Sequence, residues 1–384
     1  VVQAVRGTKA RSEPAVPSIT IQAGDGPRML VLDTSVPDPT RDSGSLRMHS
    51  LLALLREQGW RIDFFADDGA ATAADARRLA DLGVELRRGN IVRWLRNEGP
   101  TLDIVMLSRA PVAHQYLPLA RKLAPKARIV FDTVDLHFLR ERRGAHLMGS
   151  ASLRRQAEAT AREELTLIRR SDLSLVVSEE EQRMLAELAP ESRVELLSNI
   201  HLIHGRGAGY EQRRDLLFVG GFSHPPNLDG MRWFVGEVLP IVRERLPDVA
   251  LHVVGELTPQ AANALQGDGV HLHGRVEDLA PLMNASRLSI APLRFGAGVK
   301  GKVNMAMSHG LPVVLTPIAA EGMHLVDGED ALIAESPRAF AAAVLRAYHD
   351  PALWLRLSDA GLRNIEQHFS VDLARRQVQR LFAH

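Results

Sequence analysis

The stretch 291–314, APLRFGAGVKGKVNMAMSHGLPVV, holds the densest chemistry in the chain. An apolar strand, RLSIAPL, runs into a loop carrying Gly296, Gly298 and Gly301. Lys300 and Lys302 stand in that loop and at the start of a helix read over 302–309, and Gly310 leads into the next strand, LPVVLT. Glycines let backbone N–H groups approach a ligand closely, a helix N-terminus favours negative charge, and two ammonium groups add point charges. Together these suit a diphosphate. Arg294, Gly298, Val299, Lys300, Lys302 and Asn304 form the candidate anion-binding set, with Lys300 also a candidate for catalysis. The loop lacks the GKS or GKT tail of a Walker motif, and no GxGxxG follows the first strand, which disfavours a dinucleotide site. The plain alternative is a solvated basic turn. Only five lysines occur against 42 arginines, and two of the five fall within three residues at a strand end, which favours a ligand.

Four more strand ends carry unusual residues. In DTSVPDPTRDSGSLRM (33–48), Gly44 and Ser45 precede a helix and can offer amides to an anion; alternatively Asp42 or Ser43 caps the helix and Gly44 makes the turn. In DTVDLHFLRERR (132–143), Asp132, Asp135 and His137 crowd a strand end, which suits hydrogen bonding to sugar hydroxyls or proton transfer; the alternative is capping by Asp135 beside an ordinary loop histidine. In FVGGFSHPPN (218–227), Gly220, Gly221 and Phe222 lie where a ligand can approach the backbone, with Ser223 or Asn227 capping the next helix; a tight turn explains the glycines alone. In TPIAAEGM (316–323), Glu321 can accept bonds from ribose or sugar hydroxyls, or is a surface acid. Fifteen histidines show no HxxxH helix, cysteine is absent and no dense Asp/Glu cluster occurs, so neither a protein-bound metal nor a resident cofactor is expected.

The elements that must hold these loops follow a simple rhythm. From Pro27, short apolar runs (RMLVLD, RIDFFAD, LDIVMLS, ARIVFD, LSLVVS, VELLSN) alternate with segments of helical spacing. After 200–214, with three glycines and three arginines, the alternation restarts with LLFVGG, ALHVVGE, VHLHG, RLSIAPL and LPVVLT. Strands alternating with helices of this length imply an α/β fold of two doubly wound parallel sheets. In such sheets ligands sit outside the carboxyl ends of the strands, where all five loops lie. The 384 residues fit two domains. Their expected bounds are a leader or linker at 1–26, a first domain at 27–205, a second at 206–364, and a C-terminal helix at 365–384 that crosses back.

Composition is that of a soluble globular protein, 45% hydrophobic and 24% charged. Zero cysteine excludes disulfides and thiolate chemistry. A net charge of +1 excludes a global field for nucleic acid, so no nucleic-acid partner is expected. No stretch reaches 18 apolar residues. The first residue is Val, which fits a chain with other domains on a longer polypeptide.

The segments RMLVLDTSVPDPTRDSGSLRM, IVFDTVDLHFLRER, LLFVGGFSHPPNLDGMRWF, VHLHGRVEDLAPLMNASRLSIAPLRFGAGVKGKV, SHGLPVV and IEQHFSVDLARRQVQRLF resemble the retaining nucleotide-sugar glycosyltransferases of family 4. The resemblance implies a GT-B fold, with two Rossmann-like domains facing each other across a cleft. It is specific in the second half and more diffuse in the first, the acceptor side. Two departures stand out. The family's Arg and Lys beyond its FVG strand correspond to Gly221 and Asn227, and its Glu-x7-Glu pair to Ala297 and Met305. Diphosphate contacts are then expected to pass to Lys300 and Lys302, and the ribose contact to Asn304 or Glu321.

The resemblance implies transfer of a sugar from a nucleotide-diphosphate sugar to a hydroxyl acceptor with retention. Asp135 and His137 would bind the transferred sugar, and the Gly44 loop would face the donor from the other domain. It further implies surface polysaccharide or glycoconjugate synthesis, a saccharide or lipid-linked acceptor, and a cytoplasmic enzyme, peripheral at the inner face of the membrane. The competing readings are a sugar-nucleotide epimerase of the same fold and a non-catalytic donor-binding module of a larger assembly protein.

Overall fold

The computed structural model describes residues 26–383, so the leader read over 1–26 lies outside the described residues but for Gly26. Two parallel sheets organise the rest. The first contains β1 (Arg28–Asp33), β2 (Arg61–Ala66), β3 (Glu85–Leu86), β4 (Ile104–Ser108), β5 (Arg128–Asp132), β6 (Leu173–Val176) and β7 (Val194–Leu196), in the order β3-β2-β1-β4-β5-β6-β7. The second contains β8 (Arg214–Val219), β9 (Leu251–Val254), β10 (Val270–Gly274), β11 (Ser286–Ala291), β12 (Val313–Leu315) and β13 (Leu332–Ile333), in the order β10-β9-β8-β11-β12-β13. The strand order therefore reverses between β1 and β4 in one domain and between β8 and β11 in the other. These are the two switch points at which doubly wound sheets open a ligand crevice.

Period-two side-chain alternation explains why each sheet is covered on both faces. Leu30 and Leu32 of β1 join a core with the helix Ala110–Leu123, while Met29 and Val31 join another with the helix Ser43–Glu57. In the second sheet, Leu216 and Phe218 face the helix Pro337–His349, and Leu217 faces the helix Gly301–Ser308.

The C-terminal helix Val371–Leu381 lies on the first domain, with Ala374, Val378, Leu381 and Phe382 in its core beside Trp60. The preceding helix, Pro351–His368, belongs to the second domain, where Gly361 lies against Met307. The two chain crossings run side by side: His201 N donates to Phe369 O at 2.8 Å, and His201 bridges to Ser370.

Helix starts differ from the sequence reading at several places. The helix Pro225–Trp233 begins with His224 at its cap position and no side-chain cap, so neither Ser223 nor Asn227 caps it. The first helix begins at Ser43 rather than 46, because Asp42 caps it by accepting from Ser45 N at 2.9 Å. The segment 132–143 is not one loop: a helix starts at His137. Its first amides are met by Glu164, which accepts from His137 N at 3.1 Å and Phe138 N at 2.9 Å, and Asp135 is left for other bonds.

Candidate functional site

The carboxyl ends of the two sheets meet across a closed cleft. Near the β1/β4 switch point, the Arg109 guanidinium lies 3.0 Å from Asp33 and 3.8 Å from Asp42. Burial pushes the Asp33 carboxyl up even against the pull of Arg109. Gly44 makes room for that guanidinium: a Cβ there would sit 2.9 Å from Arg109 Nη2 and 3.0 Å from a Val134 methyl. Both neighbours have left-handed backbones, Arg109 at φ 74° and Val134 at φ 64°. Strain of this kind in non-glycine residues collects at ligand sites. Ser45 is buried, and both its amide and its hydroxyl are bonded to Asp42.

The next strand end holds a charged set. His137 Nε2 lies 3.2 Å from Asp135 Oδ1, and Arg140 bonds the other Asp135 oxygen. Burial opposes the charge on Asp135, but the His137 hydrogen bond and the Arg140 guanidinium hold its carboxyl at about 2. Burial likewise opposes a charged His137, yet the Asp135 hydrogen bond raises it. Glu181, which the sequence did not single out, is buried behind them. It accepts from Val177 N at 3.1 Å and Leu136 N at 3.4 Å, and burial pushes its carboxyl up to about 7.

The second domain supplies the facing wall. The helix Gly301–Ser308 starts at Lys300 with no side-chain cap. Lys300 is buried and its ammonium donates to Gly298 O. Burial brings it down to about 8, with Glu321 pulling the other way. Lys302 donates to Asn227 Oδ1 and lies 4.6 Å above the Phe218 ring. Burial and then Lys300 bring it down to about 7. Asn227 Nδ2 in turn holds Gly221 O at 2.7 Å, and a Cβ on Gly220 would sit 3.0 Å from the Lys302 ammonium. An ammonium from position 302 thus stands beside residue 227, the position that corresponds to the family's lysine in the sequence resemblance.

Contacts across the cleft tie the walls together. A Cβ on Gly298 would lie 3.3 Å from both Asp135 Cβ and a Val177 methyl. Arg143 grips Glu321 with both guanidinium nitrogens, at 2.6 and 2.7 Å, and also donates to Gly296 O at 2.7 Å. Asn199 Nδ2 donates to the buried Asn304 Oδ1 at 3.2 Å, while Asn304 Nδ2 has no partner. Arg275 reaches Asp38 and Thr40, at 2.7 and 2.8 Å. His224 is also in the cleft, and burial followed by the Arg140 charge brings it down to about 4.

Of the residues singled out in the sequence, the structure gathers Asp135, His137, Lys300, Lys302, Gly298, Asn227, Gly220, Asn304, Glu321 and Gly44 around this cleft. Val299 and Phe222 are buried in the second domain's cores, Phe222 beside Phe218. Gly221 borders open space, with only Ser223 Oγ within 4.0 Å of a built Cβ. Arg294 pairs with Asp229 at 2.9 Å, with about a third of its side chain exposed. Asp132 is fully buried and pairs with Arg47 at 2.8 Å, so it holds the sheet rather than facing the cleft. Arg109, Arg140, Arg143, Glu181, Asn199 and His224 escaped the sequence reading. Among 42 arginines nothing local marks three as special. Among the described residues, no group of three or more His, Cys, Asp or Glu side chains is placed to hold a metal ion. No helix there is long and apolar enough to cross a membrane.

Comparison with known proteins agrees with this fold. The solved structure of Anabaena HepE with UDP and glucose superimposes with a TM-score of 0.69, covering 93% of this chain and 99% of that one at 15% identity. The two Rossmann-like domains and this likeness define a GT-B fold. Residues 213–350, which include the lysine loop, match the family model described as Glycosyl transferases group 1. Two curated relatives match more narrowly. One is an uncharacterised 44.6 kDa protein of the cps region of Klebsiella pneumoniae, 31% identical over 140 residues. The other is the Thermus thermophilus UDP-N-acetylglucosamine–N-acetylmuramyl-(pentapeptide) pyrophosphoryl-undecaprenol N-acetylglucosamine transferase, 34% identical over 180 residues. The matched stretches are 34% and 46% of this chain, and span 36% and 45% of those two proteins.

Proposed function

We propose that this protein is a glycosyltransferase that moves a sugar from a nucleotide-diphosphate sugar to a hydroxyl acceptor, with retention at the anomeric carbon. The observation that carries this reading is the pair Lys300 and Lys302 at an uncapped helix N-terminus, held in the cleft against Gly220 and Asn227. Burial lowers both ammonium groups, Lys300 repels Lys302 further, and the nearby carboxylates Glu321, Glu181 and Asp135 offset only the burial of Lys300; a diphosphate would supply the negative charge that Lys302 lacks. The family match over 213–350 and the likeness to a protein crystallised with UDP and glucose support the same donor class.

In this reading the lysines and the helix amides stabilise charge that grows on the leaving diphosphate as the anomeric C–O bond breaks. Preorganised stabilisation of that kind is commonly the largest catalytic contribution. Asp135 is engaged by Arg140 and His137, so it suits binding the transferred sugar better than attacking it. Without a free carboxylate nucleophile, the acceptor oxygen attacks on the face the phosphate leaves, and its proton passes to the departing phosphate oxygen. The closed cleft excludes water, which limits hydrolysis. The relative from a cps region and the transferase acting on an undecaprenol-linked substrate support surface polysaccharide or glycoconjugate synthesis as the setting, on the cytoplasmic side of a membrane with a lipid-linked or saccharide acceptor.

The test is the double variant Lys300→Ala, Lys302→Ala. Turnover should fall by about a hundredfold or more, the usual effect of losing transition-state charge stabilisation. Unchanged donor affinity and turnover would refute the cradle. The anomeric configuration of the product, read by NMR, decides retention.

A further inference from the structure

A cavity of about 170 Å³ opens in the first domain at the carboxyl ends of β1, β2 and β3. Leu32, Phe65, Leu86 and Ile91 line it with apolar surface, and Tyr116, Asp67, Arg87 and Arg88 bring polar groups to it. Pockets for drug-sized ligands run from roughly 300 Å³ upwards, so this one takes a single ring-sized group.

The polar chemistry narrows what that group is. Asp67 is exposed and accepts from the Tyr116 hydroxyl and from Gln115 Nε2, the latter at 3.3 Å. Both bonds fall on Oδ1, so Oδ2 keeps its capacity for a further donor. Arg87 also lines the cavity, but its charge is met by Asp63 at 2.7 Å and Glu85 at 2.9 Å. Arg88 is exposed and donates to Thr72 O at 3.3 Å, and the one carboxylate in the same lining, Asp67, balances its charge. The cavity therefore holds no surplus of positive charge for a phosphate or carboxylate. An apolar wall facing a carboxylate with a free oxygen suits a neutral pyranose, with C–H groups against Phe65 and hydroxyls donating to Asp67.

Its place in the fold connects it to the cleft. Asp67 N donates to Asp33 O and Asp68 N to Thr34 O, each at 2.9 Å. Asp33 is the partner of Arg109, which passes over Gly44. One strand spacing, about 4.8 Å, separates the β2 end from the β1 end at the cleft.

We propose that this cavity is an acceptor subsite that receives one uncharged sugar residue, so that the acceptor is a saccharide end rather than a bare phosphate or lipid. The proposal rests on the transferase reading for its role, but its test does not depend on turnover. Amide NMR of the whole protein is followed while methyl glucoside, methyl galactoside, methyl mannoside and methyl N-acetylglucosaminide are titrated, with methyl glucuronide and glycerol phosphate as anionic arms. At least one neutral glycoside should shift the amides of 66–69 and 86–89. Asp67→Asn should weaken that binding by about tenfold, the worth of one hydrogen bond to a charged acceptor. Ala71→Phe, which fills the cavity from its rim, should abolish it. UDP binding should stay within about twofold in both variants, which also reports that they fold. Shifts absent or elsewhere, shifts indifferent to both variants, or binding confined to the anionic probes would each overturn the proposal. Loss of UDP binding in the unaltered protein would instead count against the donor reading.

Discussion

Donor binding should draw protons from solution, and Lys302 is the main reason. Its ammonium is brought down to about 7, and that of Lys300 to about 8, from an ordinary 10.5. For a lysine whose folded value is lowered, the cost of holding the charge is absent above about pH 10.5 and complete below the folded value. Folded-state stability therefore falls as pH drops from about 10.5 towards 7, and then levels off. For Lys302 the difference converts to about 5 kcal/mol at most, and its partial exposure to solvent screening halves this to roughly 2–3 kcal/mol.

A bound diphosphate removes the reason for the low values. At pH 8.5 an unliganded Lys302 is about 3% charged and Lys300 about a quarter charged, so full recharging takes up about 1.7 protons. At pH 6 the same binding takes up only about 0.1 proton. A nucleotide-sugar is a good probe because its diphosphate is fully ionised at both values. The assay is calorimetry in buffers of different ionisation enthalpy, using the tightest-binding nucleotide-sugar from a thermal-shift panel. The slope should give one to two protons at pH 8.5, near zero at pH 6, and about one fewer at pH 8.5 in Lys302→Met. The variant should also gain about 2–3 kcal/mol of stability at pH 6 and almost none at pH 10. A proton number near zero at pH 8.5, or one that Lys302→Met leaves unchanged, refutes the reasoning.

Two further outcomes follow from packing. A methyl group in Gly301→Ala would fall 2.2 Å from Ser43 Cβ on the opposite wall, so the variant should hold the cleft open. Small-angle scattering should show a larger radius of gyration, and turnover should fall by about a hundredfold as positioning is lost. The pair Arg47–Asp132 is buried, and Arg47 also donates to Leu197 O at 2.9 Å. Arg47→Met should cost about 3–5 kcal/mol in denaturant unfolding, because it strands a buried carboxylate.

Much of the architecture could be read from local pattern. The run RMLVLD specifies a strand buried on both faces, and Asp42 with the apolar spacing after it specifies a helix start, missed by three residues because the capping side chain lies ahead of the apolar stripe. The lysine loop was equally visible, since its glycines, its lysines and the helix after it all lie within 296–308. The reading of 132–143 as one loop failed for a non-local reason. The helix from His137 has no cap of its own and relies on Glu164, which arrives from the helix Ala151–Arg170.

The sequence by itself determined two doubly wound sheets and a phosphate-binding type of loop at a strand end of the second. Those features depend on residues a few positions apart, whose periodicity and backbone freedom act locally. Only the tertiary structure decided what faces that loop. Arg143 and Glu321 lie 178 positions apart, and Asn199 and Asn304 lie 105 apart. Each pair meets only because two separately folded sheets turn their carboxyl ends together. Ionisation was decided the same way: the low values of Lys300 and Lys302 and the high value of Glu181 come first from burial, which exists only once the cleft has closed.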